Sequence, residues 1–307
     1  MKKLRLILVS AILLTGLNAF GQQRPVFSTY MFNGLLINPA YAGSLNLFAA
    51  TVTNRNQWVN VDGAPNYQSV SAHTTWVENR VGTGLTVTRD AVGAHVQYGV
   101  YGSYAYKIRM SGGILAMGLQ GGFDNRNSDF TKINIKDQAD PYLTGNVSRF
   151  NPNFGAGLYF ANRKFFMGLS VPYILKPKLF AEAQIASEAR EARYYYLHVG
   201  NVMELSPTVK LNPSILVRAQ ERANLGYDVN VNLIFSDIVY AGLSYRSGDA
   251  VVFLTQLVLN DNFRVGYAYD TVSSALNAFT AGTHEIMLSY RKKIRGSKKD
   301  PLCPVYF

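Results

Sequence analysis

The chain has 307 residues and a net charge of +11, yet only 16% of it is charged against 48% hydrophobic, where soluble domains carry about 25% charged residues. Past the first twenty or so positions no run reaches the roughly 18 apolar residues a spanning helix needs, so a helical bundle in a bilayer is excluded. A single cysteine, Cys303, excludes an internal disulfide and a thiolate metal site.

Residues 1–21 read as an export signal. Lys2, Lys3 and Arg5 form a basic start, Leu6 to Leu14 an apolar stretch, and Ala19-Phe20-Gly21 a small-residue cleavage point. The next segment, 22–47, holds Met31-Phe32 and Leu35-Leu36-Ile37, then Asn38-Pro39-Ala40-Tyr41-Ala42-Gly43. Apolar and broken by proline, it is costly to leave in water. It is therefore expected to fold back into a barrel mouth as a plug.

From about residue 48 the dominant pattern is period-two alternation, the mark of strands with one wet and one apolar face. Leu225, Tyr227, Val229, Val231, Leu233 and Phe235 alternate with Gly226, Asp228, Asn230 and Asn232. Phe263, Val265, Tyr267 and Tyr269 stand against Asn262, Arg264, Gly266 and Asp270. Val96, Tyr98, Val100, Tyr104 and Tyr106 are opposed by Gln97, Ser103 and Lys107. Such segments give about fourteen strands, an even number within the range of bacterial barrels: 48–58, 66–77, 80–89, 95–107, 111–123, 153–161, 163–172, 193–204, 208–219, 225–235, 238–246, 249–260, 262–270 and 283–292. The predicted fold is all-β, a transmembrane antiparallel barrel spanning 48–292.

The links support this reading. Every second one is tight (Glu78-Asn79, Arg109-Met110, Asn162, Ser206-Pro207, Ser236-Asp237, Asp261), while those between are longer, with two very long ones near 124–152 and 173–192. Outer-membrane barrels sort their connections this way, short turns in the periplasm and long loops outside. Ser247-Gly248-Asp249 is the exception. Tyr106, Phe160, Phe165, Phe235, Phe263 and Tyr290 fall on the lipid-facing parity at the short-turn end, the place of an interfacial aromatic girdle. Phe180 to Arg193, rich in Ala and Glu, suggests a short helix in an external loop.

Much of the positive charge is a tail. From Arg291 onward there are six basic residues and one acid, and three more basic residues lie in the export signal, which leaves about +3 for the barrel. The excess is thus no nucleic-acid face. Residues 293–307 are expected as a basic periplasmic tail, either a solvated strand stop or a contact for an acidic surface. No catalytic or metal constellation is apparent: His73, His95, His198 and His284 are scattered, and no HExxH occurs. No cofactor is expected. Gly82-Thr83-Gly84 and Gly155-Ala156-Gly157 lie inside strands, so they are not phosphate cradles; small residues there let a strand bend or let a side chain or a plug approach the wall closely.

The motifs resemble a known family. Phe27-Ser28-Thr29-Tyr30-Met31-Phe32-Asn33 followed by Asn38-Pro39-Ala40-Tyr41-Ala42-Gly43-Ser44 looks like the opening of the PorP/SprF proteins of Bacteroidetes. Arg55-Asn56-Gln57-Trp58, Gly63-Ala64-Pro65, Pro152-Asn153-Phe154-Gly155, Gly168-Leu169-Ser170-Val171-Pro172, Tyr245-Arg246-Ser247-Gly248-Asp249 and Gly282-Thr283-His284-Glu285-Ile286-Met287 follow in the family's order. Gly34 departs from the family's usual Pro. The resemblance implies a non-enzymatic outer-membrane component of type IX secretion and gliding. It also implies partners among the type IX components and a secreted protein bearing a type IX C-terminal domain.

Two functions follow. In the first, the barrel binds, helps export or anchors a secreted surface protein. In the second it is a plugged transporter or channel for a small hydrophobic molecule, since outer-membrane fatty-acid transporters also carry an Asn-Pro-Ala sequence in their plugs. Candidate partner-binding or plug residues are Tyr30, Met31, Phe32, Asn33, Asn38, Pro39, Ala40, Tyr41, Arg55, Trp58, Arg246 and Asp249. A purely structural role, with Arg246 and Asp249 shaping a rim turn and Arg55 and Trp58 holding the plug, fits the sequence equally well.

Overall fold

The computed structural model describes residues 27–129, 146–178, 190–221, 223–273 and 278–294. The expected export signal, most of the Ala/Glu-rich loop helix, and the tail beyond 294 with Cys303 lie outside them.

The strands are β1 (Phe48–Asn56), β2 (Asn66–Trp76), β3 (Val81–Val92), β4 (His95–Met110), β5 (Gly113–Asp129), β6 (Asn146–Ala161), β7 (Phe165–Val171), β8 (Tyr194–Asn201), β9 (Met203–Ser206), β10 (Val209–Gln220), β11 (Gly226–Phe235), β12 (Val239–Arg246), β13 (Ala250–Val258), β14 (Phe263–Val272) and β15 (Thr283–Lys292). Apart from β8 and β9, which do not pair with each other, each pairs antiparallel with its sequence neighbour. β1 also pairs with β15, from Phe48↔Lys292 to Asn56↔His284, and β10 with β11, so the sheet closes on itself and has no free edge. β8 and β9 lie along the same neighbour, β10, and together make one stave of a closed fourteen-stranded barrel. The interruption falls at Val202, opposite Asn212 and next to Pro213, whose missing N–H removes a ladder bond.

Alternation along each strand becomes inside and outside. In β11, Val229 and Val231 are 43% and 45% exposed, whereas Asp228 and Asn230 are fully buried. Val52, Val70, Leu85, Leu119, Leu243 and Phe253 continue the apolar outer band, as an outer-membrane barrel requires in lipid. Tyr106, Phe235 and Phe263 are exposed at the short-turn end, and Phe263 packs on Tyr290 with ring centroids 5.1 Å apart. Phe160 and Phe165 face each other at 6.4 Å at the same end. Trp76, also exposed there, joins this belt. The tight turns use the left-handed region: Ser236 and Asp237 both have positive φ, 50° and 57°, the two-residue geometry that matches strand twist.

The structure departs from the sequence reading at β5 and β6. The predicted loop 124–152 is narrower, because the two strands continue as a ladder to Asp129↔Asn146. Here polar side chains occupy both faces, and Arg126 Nη2 donates to Gln97 Oε1 at 2.7 Å. Pairing outlasts the apolar band, so the hydropathy signal stops before the strand does.

The core lies inside the barrel. Phe27, Tyr30, Met31, Phe32, Leu35, Ala40, Tyr41 and Ala42 cluster with inward-facing wall residues such as Tyr67, Tyr159, Phe166, Leu216, Tyr240 and Met287. Between residues 27 and 47 the backbone forms two short 3-10 turns, Gly34–Leu36 and Pro39–Tyr41. In the second, Asn38 Oδ1 accepts from the Ala40 N–H at 2.9 Å and Pro39 occupies the first turn position, a local cap that fixes the direction of the chain.

Candidate functional site

The inner wall carries a buried charge cluster at the ends of β1, β10, β11, β12, β14 and β15 nearest the longer links. Cross-strand register places Arg55 opposite Glu285 and Asp228 opposite Arg246. Arg55 Nη2 lies 2.7 Å from Asp270 Oδ2 and its Nη1 3.0 Å from Glu285 Oε2. Arg246 Nη1 reaches Asp270 Oδ2 at 3.1 Å, and its Nε reaches Asp228 Oδ2 at 3.2 Å. Arg218 Nη2 completes the chain to Asp228 Oδ1 at 2.8 Å. All six side chains are at most 4% exposed. Three guanidinium groups and three carboxylates balance, which is how charges survive where an isolated one would be expelled. Asp249, on the rim, is half-buried and sits 3.5 Å from Arg246 Nη1.

The N-terminal segment is part of this network. Ser28 Oγ donates to Asp270 Oδ1 at 2.8 Å and accepts from Arg55 Nη1 at 2.9 Å and Arg246 Nη2 at 3.1 Å. Glu285 accepts the Ser28 N–H at 2.8 Å and the Thr29 N–H at 2.9 Å, and also the Thr29 hydroxyl. A carboxylate receiving two successive backbone N–H groups is a charge-assisted anchor that does not depend on which side chain the segment presents.

Farther along, the segment meets neutral groups. The Tyr30 hydroxyl accepts from Asn230 Nδ2 at 2.6 Å, and its ring meets His198 edge-on at 5.3 Å. Burial, with Asp228 adding to it, pushes the Tyr30 hydroxyl pKa well above the usual phenol range, so it remains protonated. Met31 Sδ accepts from Asn232 Nδ2 at 3.3 Å, Phe32 meets Tyr240 edge-on at 6.0 Å, and Asn33 Nδ2 donates to Ser71 Oγ at 2.9 Å.

Toward the short-turn end, contact becomes steric. Asn38 Nδ2 donates to the Leu158 carbonyl at 2.9 Å, and Ser170 Oγ donates to the Ile37 carbonyl. A Cβ on Gly118 would fall 2.2 Å from the Ala40 nitrogen, one on Gly157 2.1 Å from Asn38 Oδ1, and one on Gly82 1.9 Å from the Ala42 oxygen. Only glycine admits the segment so close to the wall. Tyr41 meets His73 and Tyr159 edge-on. Lys107 Nζ donates to the Gly43 carbonyl at 2.7 Å, Asn46 Oδ1 at 2.8 Å and Thr75 Oγ1 at 3.0 Å. The contacts of residues 27–44 therefore run along the lumen and are not confined to one mouth.

Of the candidates, Tyr30, Met31, Phe32, Asn33, Asn38, Pro39, Ala40 and Tyr41 meet the inner wall, and Arg55, Arg246 and Asp249 come together in the charge cluster. Trp58 stands apart, half-buried in the β1–β2 loop, its backbone N–H donating to Thr283 Oγ1 at 3.2 Å. Sequence reading missed Asp228, Asp270, Glu285, Arg218, Ser28 and Lys107 as partners. For Asp228, Asp270, Glu285 and Arg218 the signal was parity, since a charge on the inward face near a strand end needs a counter-charge. No group of His, Cys, Asp and Glu among the described residues could hold a metal ion.

Known structures share the architecture. The monoaromatic hydrocarbon channel CymD aligns with a TM-score of 0.50 at 12% identity, over 92% of this chain and 97% of that one. Omp33 of Acinetobacter baumannii aligns with a TM-score of 0.47 at 10% identity, over 82% and 100%. A Pseudomonas aeruginosa FadL homologue aligns with a TM-score of 0.46 at 12% identity, over 88% and 94%. Such low identity speaks to the fold alone. No curated protein sequence matches the chain. The profile of the type IX secretion system membrane proteins PorP/SprF matches residues 19–290, so this outer-membrane barrel belongs to the PorP/SprF family.

Proposed function

We propose that the protein is a non-enzymatic component of the type IX secretion and gliding machinery that binds, helps export or anchors a secreted surface protein. The observation that carries this reading is family membership over nearly the whole chain. The lumen fits it: residues 27–44 act as a plug, and a cavity between the plug and the β7–β8 wall, lined by Tyr30, Asn38, Phe166, Ser170 and His198, measures ≈ 20 Å³, room for about one water. A barrel whose lumen is occupied by its own N-terminal segment works through its loops, its rims and that segment. A carrier for a small hydrophobic molecule needs a greasy duct instead, and the buried charge cluster of the inner wall is a poor lining for one.

On this reading Arg55, Arg246 and Glu285 hold the plug, Asp249 and Trp58 sit at the rim where a partner arrives, and the basic tail faces periplasmic components. The protein reaches the outer membrane through a cleaved signal at 1–21. The test is affinity purification of the tagged protein from its own outer membrane in mild detergent. Co-purification of type IX components, or of a large secreted protein with a type IX C-terminal domain, is the expected result. Recovery of the barrel alone with a bound hydrophobic molecule would replace this reading with the transporter.

A further inference from the structure

The lipid-facing wall is not uniformly convex. Across β4–β7 it holds a concavity of ≈ 520 Å³, with Tyr104, Tyr106, Met117, Leu158 and Leu169 as its sides and Ala156 among its small floor residues. Ala156 stands opposite Leu119 on one side and Val171 on the other, so one small residue in a row of large ones opens the groove. Beneath it Gly118 and Gly157 carry no side chain, and the wall is one backbone thick between lipid and the Asn38-Pro39-Ala40 turn.

The position of the groove says what fills it. From Leu158 to the β6–β7 turn at Asn162 is four residues, roughly 10–13 Å along a tilted strand. That is close to the depth of one leaflet, about 15 Å. The turns at that level present exposed Arg109, Arg163 and Lys164, just past the aromatic belt of Phe160 and Phe165. Apolar lining at mid-leaflet and cations at the interface describe a two-part ligand, an acyl chain joined to a phosphate. Because the cations lie at the short-turn end, which outer-membrane barrels keep in the periplasm, the ligand comes from the inner leaflet. We infer that the β4–β7 groove is a specific site for one phospholipid of the periplasmic leaflet, its chain over Ala156 and its phosphate on Arg163 and Lys164.

Native mass spectrometry of the full-length protein, released from vesicles of phosphatidylethanolamine and phosphatidylglycerol, tests the inference. Wild type retains one phospholipid. Ala156→Trp fills the groove and lowers the retained fraction about tenfold, the loss expected when roughly two methylenes leave apolar contact. The double variant Arg163→Glu, Lys164→Glu lowers it similarly, yet still retains added palmitate, which separates chain from headgroup. Heat-modifiable gel migration reports folding. Should Ala156→Trp fail to fold, Leu158→Ala with Leu169→Ala strips the sides of the groove and predicts the same loss. Unchanged retention in a folded groove variant, or preference for palmitate or lipid A over phospholipid in wild type, overturns the site.

Discussion

The two ends of the lumen hold one segment by different physics. Near the loops, residues 28 and 29 are held by charge: Glu285 takes two backbone N–H groups, and Ser28 sits among Arg55, Arg246 and Asp270. Near the short turns, residues 38–42 are held by shape, against glycines where a Cβ would collide. The first contact is strong and indifferent to the segment's side chains. The second is weaker per contact but selects what fits.

The largest effect comes from unbalancing the charge. Arg246→Ala leaves Asp228 and Asp270 each short of a buried partner and is expected to cost about 3–5 kcal/mol, read as a lower urea midpoint in lipid vesicles. Breaking the seat is next. Gly157→Val forces Asn38 away from the wall and should cost roughly 3 kcal/mol, the upper end for overpacking, with chymotrypsin cleavage appearing at Tyr41 before any appears at Tyr30. Glu285→Gln keeps one acceptor but loses the anion that Arg55 and two N–H groups share, for about 2 kcal/mol; here cleavage should appear first at Tyr30. That opposite order of cleavage is the sharpest form of the comparison. Smallest is Tyr30→Phe, which removes the acceptor from Asn230 and should cost about 1 kcal/mol without opening either end to protease.

The barrel was legible because lipid imposes strict alternation, and β11 shows it residue by residue from Tyr227 to Phe235. Where that pressure ends, as at Arg126 and Ser148 beyond the apolar band, the strands ran on unseen. The N-terminal motif drew attention to residues 27–44, and Gly82 and Gly157 lie where Ala42 and Asn38 come close to the wall. The charge cluster was only half visible. Arg55 and Arg246 stood in recognisable motifs, but Asp228 and Asp270 looked like ordinary wet-face residues of their strands. Asp228 meets Arg246 across the β11–β12 pair, but Asp270 gains Arg55 only because closure of the sheet brings β1, like β12, to the one carboxylate of β14, and no local pattern carries that information.

Limited proteolysis of the folded protein in vesicles, with chymotrypsin added on both sides and fragments identified by mass spectrometry, tests most directly whether residues 27–44 are held within the lumen. Cutting in the external loops with Phe27, Tyr30, Phe32 and Tyr41 left intact is the expected result. Cleavage at any of those four positions while the barrel still migrates as folded would contradict it.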